Sequence, residues 1–214
     1  MKIAYIFNTF PSKSETFLAR EVEAMRKLGV EIEIFALEAG EGARKIEKPS
    51  AIFRALPSGF WRKVGHDLAS EIRGEGFSLV HGAWANHVAE IAQGAAKSLD
   101  LPWSFAAHAR DLWVEGGDLG AKIQTASAAF CCSRRGFEFL RNHAKTEAQI
   151  SKIHFAPHGL DLENWPFSPP PFPDSHGEIR VLGVGRLVAK KGWKNLIQAA
   201  QFSPPFPQNA LVQL

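Results

Sequence analysis

Cysteine is scarce in this 214-residue chain: there are two, and they stand side by side at Cys131 and Cys132. Adjacent thiols make no metal-ligand spacing and no ordinary disulfide pair, and their scarcity fits a reducing compartment. Both are expected to be buried strand thiols. Long hydrophobic runs are missing as well. Nothing approaches the roughly 18 apolar residues of a spanning helix, and the opening MKIAYIFNTFPSKSE turns polar too soon for a signal peptide. A cytoplasmic protein is the expectation. Charge of one sign is in small excess, a formal +3 with a pI near 8.9. That is too mild to argue for nucleic acid, although it permits peripheral contact with the anionic inner face of a membrane. The first strand-to-helix turn, FNTFPSKSE, also lacks the GxGxxG of a dinucleotide site, which counts against an NAD-dependent oxidoreductase.

What is present reads as alternating strands and helices, in a chain whose 45% hydrophobic and 22% charged residues suit one good core. Lys2 to Phe7 is a continuous apolar run, as in a strand covered on both faces. Ser12 and Glu15 match a capping box, Leu18, Val22, Met25 and Leu28 share one helical face, and Gly29 ends that helix. Val30 to Leu37 alternates, with Glu31 and Glu33 opposite Val30, Ile32 and Ile34, as in a half-exposed strand. Further strands are expected at Phe77 to His81, Trp103 to Ala107, Ala128 to Cys132 and Ile153 to Ala156. Helices are expected at His87 to Leu99 and, capped by Ser133, at Arg134 to His143. The pattern predicts an α/β fold with a parallel, Rossmann-like sheet whose ligand loops gather at the strand C-termini.

The segment from Trp165 to Glu178 carries five prolines and reads as a semi-rigid linker. The expected organisation is a domain over 1–164, a proline-rich linker over 165–177, and an incomplete second domain over 178–214. That last piece holds one strand and one helix, too little to fold unaided. It contains GVGRLVAKKG, Gly183 to Gly192, after the apolar Ile179, Val181 and Leu182. Glycines at such a turn let a diphosphate approach the backbone, and Arg186 and Lys191 supply two cations for its oxygens. The same two residues also fit solvated surface cations at a helix start.

Four segments in order, FPSKSETFLAREVEAMRKLG, SFAAHARD, HGLDLENW and GVGRLVAKKG, make the chain resemble a family 4 retaining glycosyltransferase, most of all bacterial exopolysaccharide and colanic-acid-type members. The resemblance spans residues 2 to 200. It implies the GT-B fold, two Rossmann-like domains facing across a cleft, with the acceptor bound mainly by the first and the nucleotide sugar mainly by the second. It also implies retention of anomeric configuration, no metal and no cofactor. Arg186, Lys191 and Gly185 would then hold the donor diphosphate, and His108 would be the catalytic cleft residue touching the transferred sugar. Ser14, Glu15 and Thr16 would form the cleft loop, with Asp111 orienting Arg110 or closing its loop. Implied partners are a nucleotide-sugar donor and a glycan or lipid-linked acceptor.

Each assignment has a plainer counterpart. Ser12 and Glu15 can be helix caps alone, His108 a hydrogen-bonded structural residue, and Asp111 an exposed loop acid. Gly159 and Asp161 read as structural. His81 and His87 lack a nearby Cys or carboxylate to complete a tetrahedral set, so no metal is assigned. Phe53, Arg54, Phe60, Trp61, Arg62, Lys63 and Arg73 mix aromatics with cations in a poorly periodic stretch, which fits a membrane-surface segment or an amphipathic crossover. The family's paired glutamates, eight positions apart beyond the clamp, do not occur here. The expectation is a C-terminally truncated chain, inactive by itself, with a glycan-binding or interaction module as the alternative.

Overall fold

The computed structural model describes residues 1–47, 58–169 and 182–202, and the chain divides into two compact units, Met1–Leu160 and Asp161–Leu214. Phe53, Arg54, Ile179, Val181 and the linker from Pro170 onward lie outside the described residues.

The first unit is built on seven parallel strands in the order β3-β2-β1-β4-β5-β6-β7. They are β1 Lys2–Phe10, β2 Glu31–Ala39, β3 Arg44–Lys45, β4 Leu79–Gly82, β5 Trp103–Ala107, β6 Ala128–Cys131 and β7 Ile153–Phe155. The side-chain period of two sorts β1 between two cores. Ile3, Tyr5 and Phe7 face the side covered by α1 (Thr16–Lys27), through its Leu18 and Val22, while Ala4 and Ile6 join the larger core on the other face. That larger core takes in α2 (Ser58–Ile72), α3 (His87–Leu99), α5 (Leu119–Thr125) and α6 (Arg134–Arg141). The short helices α4 (Ala109–Trp113) and α7 (Glu147–Ile150) complete the unit.

Several expectations change. Helix α1 begins at Thr16 with Glu15 as its N-cap and no side-chain cap bond, so the Ser12–Glu15 capping box is not formed. The turn is closed instead by the backbone, the Glu15 N–H donating to the Ser12 carbonyl at 3.3 Å. Strand β2 does not keep its alternation: between the exposed Glu31 and Glu38, Ile34, Phe35, Ala36 and Leu37 are all buried, because Phe35 and Leu37 reach the larger core while Ile34 and Ala36 face the α1 side. Where it is described, the stretch read as poorly periodic is mostly helix α2, whose Trp61, Val64, Leu68 and Ile72 recur at helical spacing and are buried. Its crossing with α3 is backbone to backbone. Gly65 faces the Ile91 carbonyl and Gly94 the Arg62 carbonyl, with no room for a Cβ at either.

In the second unit, a 3-10 turn at Ala189–Lys191 leads through Gly192, in the left-handed region at φ +70°, into α8 (Trp193–Phe202). Asp161 caps a 3-10 turn at Leu162–Asn164 through the Glu163 N–H. Among the described residues, no helix is long and apolar enough to cross a membrane.

Candidate functional site

The chain leaves β1 for β2 on one side and later crosses to β4 on the other, so the β1/β4 boundary is the point where strand order reverses. Ligands of open parallel sheets bind just beyond the strand C-termini at such a point. The segment after β4, Ala83 to Asn86, is clamped there from both sides. The buried Asp111 carboxylate accepts the Ala85 N–H at 2.8 Å and the His108 N–H at 3.0 Å, tying the ends of β4 and β5 together. Burial raises its pKa, and these backbone donors pull the other way. The buried Lys122 ammonium donates to the Ala85 carbonyl at 2.9 Å and the Gly116 carbonyl at 2.8 Å, and pairs with Glu90 at 2.9 Å. Both backbone groups of Ala85 are therefore held by buried charged side chains.

This clamp presents a ring cluster. Trp84 lies 4.4 Å from His108, Phe17 lies 5.4 Å from His108 and 4.1 Å from His158, and the two imidazoles stack at 5.2 Å. Burial, helped by the neighbouring His158, pushes the His108 pKa down to about 4, and desolvation lowers that of His158. Both rings are neutral near pH 7, so they act as hydrogen-bonding and packing surfaces rather than as cations.

Asp111 closes the loop, and Arg110 pairs with Glu115 at 2.6 Å instead. In the segment before α1, Ser14 is exposed with its hydroxyl 3.5 Å from that of Ser12 and Glu15 is half-buried, and at the first residue of the helix the exposed Thr16 hydroxyl accepts from Arg20. His81 pairs with the Ser104 hydroxyl at 2.6 Å, and His87 with Asn8 at 3.0 Å. In the second unit Arg186 and Lys191 are exposed. The space beside Gly183 and Gly185 is taken by the Trp193 ring, whose indole N–H donates to the Arg186 carbonyl at 2.8 Å. The glycines thus let Trp193 pin the loop that carries Arg186.

Sequence reasoning missed Phe17, Trp84, Lys122 and Glu90. It also missed that His108, Cys132 and His158 bring ligand-type atoms within 4.8 Å of one another. The available signal was positional, since His108 and Cys132 directly follow the adjacent strands β5 and β6.

No protein-family model and no curated protein matches the chain. Solved structures do match. Anabaena HepE in complex with UDP-glucose aligns over 95% of this chain and 58% of its own, at 15% identity and a TM-score of 0.60. A putative UDP-N-acetylglucosamine 2-epimerase from Listeria monocytogenes aligns over 71% and 43%, at 14% identity and 0.51. A glycosyltransferase from Rickettsia africae aligns over 78% and 46%, at 14% identity and 0.52. The class is therefore settled at the level of fold: an α/β, Rossmann-like parallel sheet of the GT-B kind. The chain spans about half the length of these structures.

Proposed function

We propose that the chain supplies the acceptor-side domain and the diphosphate clamp of a family 4 retaining glycosyltransferase. The reaction moves a sugar from a nucleotide-sugar donor to a lipid-linked or polysaccharide glycan, without metal or cofactor. The observation that carries this reading is the clamped ring cluster at the β1/β4 reversal point, beside the segment holding Ser14, Glu15 and Thr16. Rings of this kind offer apolar faces for a sugar, and neutral His108 offers a hydrogen bond to a sugar hydroxyl. Arg186 and Lys191 stabilise the charge that develops on the leaving nucleoside diphosphate, at a turn made permissive by Gly185. Asp111 acts through the backbone it holds. The domain boundary at 164, the linker over 165–177 and cytoplasmic placement at the inner membrane face belong to the same proposal.

The test joins the chain to a donor-binding half bearing the paired glutamates and titrates UDP- and GDP-sugars by calorimetry. Loss of two charge-assisted hydrogen bonds in Arg186→Ala/Lys191→Ala should weaken donor binding at least about tenfold. Undiminished affinity refutes the clamp, and no affinity for either nucleotide in the joined protein refutes the family reading. A second reading, a glycan-binding module, is favoured by one observation: the ring cluster lies wholly within Met1–Leu160. Glycan binding by the 214-residue chain, with no turnover in the joined protein, would select it.

A further inference from the structure

The strand register brings together three side chains that no sequence spacing links. Ala107 of β5 pairs with Cys131 of β6, and Cys131 pairs with Phe155 of β7. His108 and Cys132 therefore leave neighbouring strands at the same level, and His158 follows three residues after β7. Their ligand-type atoms, one ring nitrogen from each histidine and the Cys132 sulfur, lie within 4.8 Å of one another. Around a tetrahedral ion with metal–nitrogen bonds of about 2.0–2.1 Å and a metal–sulfur bond of about 2.3 Å, donors stand roughly 3.4–3.6 Å apart. A contraction of up to about 1.4 Å closes the set, and the exposed His158 is the member with room to move.

A second observation points to a ligand. His108 is about nine-tenths buried, at 9% exposure, and its Nδ1 makes no hydrogen bond of normal geometry among the described residues, the Asp111 N–H in the first turn of α4 being the donor turned toward the ring. A buried polar atom left unsatisfied is costly and calls for an explanation. An ion on Nδ1 satisfies it directly. An ion on Nε2 instead directs Nδ1–H toward the Asp111 carboxylate, 3.9 Å away, the outer-sphere partner that metal-bound histidines commonly have.

We propose that His108, Cys132 and His158 form a three-ligand site for a borderline divalent transition-metal ion of the Zn2+ class, with a fourth position open to solvent. Two imidazoles and one thiolate are the donor set such an ion prefers, and the hard-cation alternatives need oxygen ligands that the trio does not offer. A thiol of ordinary acidity is largely protonated near pH 7 in the absence of metal. Binding therefore breaks the S–H bond, forms a metal–sulfur bond and releases one proton to solvent, with no change of oxidation state. A neutral imidazole binds through its unprotonated nitrogen and keeps its other N–H, so neither ring need lose a proton. The site shares His108 with the glycosyl-transfer reading but does not rest on it: the transfer proposed above needs no metal, and an ion held on this ring takes it away from the sugar hydroxyl.

The full 214-residue chain, reduced and metal-free, is titrated with Co2+ as a spectroscopic stand-in, and Zn2+ is then added in competition. The expected result is a thiolate-to-cobalt charge-transfer band saturating at one equivalent and erased by Zn2+. Cys132→Ser should abolish the band and His158→Ala should weaken Co2+ binding by about tenfold or more. Cys131→Ser, which alters a thiol buried in β6, should retain the band. Urea midpoints of each apo variant separate ligand loss from unfolding. Absence of the band, its survival in Cys132→Ser, or unchanged affinity in His158→Ala overturns the proposal.

Discussion

Replacing Glu90 tests whether the Ala85 clamp depends on a compensated buried charge. The Lys122 ammonium has three donors, and each finds an acceptor: Glu90 Oε1 at 2.9 Å, the Ala85 carbonyl at 2.9 Å and the Gly116 carbonyl at 2.8 Å. The side chains are 4% and 10% exposed, so salt screens the pair little. Arg62, the other cation near Glu90, is 3.9 Å away and more exposed. Glu90→Ala leaves the ammonium buried with its two carbonyls and no counter-charge, a loss of about 3–5 kcal/mol. Lys122→Met strands the Glu90 carboxylate and two carbonyls, with a cost of similar size. In the double variant neither charge is left uncompensated, so the two losses should fall short of additivity by about 2 kcal/mol. Urea unfolding followed by the fluorescence of the six tryptophans provides the measurement, repeated at high salt. A loss below about 1 kcal/mol for Glu90→Ala, or additive single effects, would refute the claim that a buried ion pair organises this loop.

Three further outcomes are expected. Burial, with a smaller electrostatic contribution from His108, holds His81 neutral with a pKa lowered to about 3, and it is faced by Tyr5 from β1, Ser104 from β5 and Phe130 from β6. The unfolded chain protonates near 6.5, so this stabilisation is complete above that pH and is lost as pH falls toward 3. His81→Phe should flatten the acid limb of stability against pH by up to one proton, and an unchanged slope would contradict the assignment. Gly94→Ala drives a methyl into the Arg62 carbonyl of α2, with an expected cost of about 3 kcal/mol and a lowered Tm; a neutral substitution would mean that the two helices are not packed this closely. Asp111→Asn offers one acceptor oxygen where two backbone N–H groups now bind, for a loss of about 1–3 kcal/mol. It should also shift tryptophan emission through Trp84, and if emission and stability both stay unchanged, the loop is held by something else.

Local pattern carried much of the architecture. Helix α3 and strand β5 fall at the bounds that periodicity marks, because their apolar spacing and flanking turn residues are unambiguous. Ser133 caps α6 as its position before the helix implies, its side chain accepting from the Gly136 N–H at 3.1 Å. The pattern was misleading at α2, where glycines and cations obscure a buried stripe that exists because α3 lies against it. It also misplaced the start of α1, where a backbone turn rather than a side-chain cap sets the first residue.

By itself, then, the sequence determined the alternation of strands and helices, the parallel sheet and the edge at which His108 and Asp111 stand, since these follow from hydrophobic period and chain direction. Only the tertiary structure decided that Phe17, Trp84 and His158 surround His108, that Lys122 and Glu90 hold the Ala85 loop, and that Cys132 lies beside both histidines. Those neighbours are set by strand order and register, which bring Trp84 to His108 across 24 positions and Phe17 to His108 across 91, and no local pattern encodes such a distance.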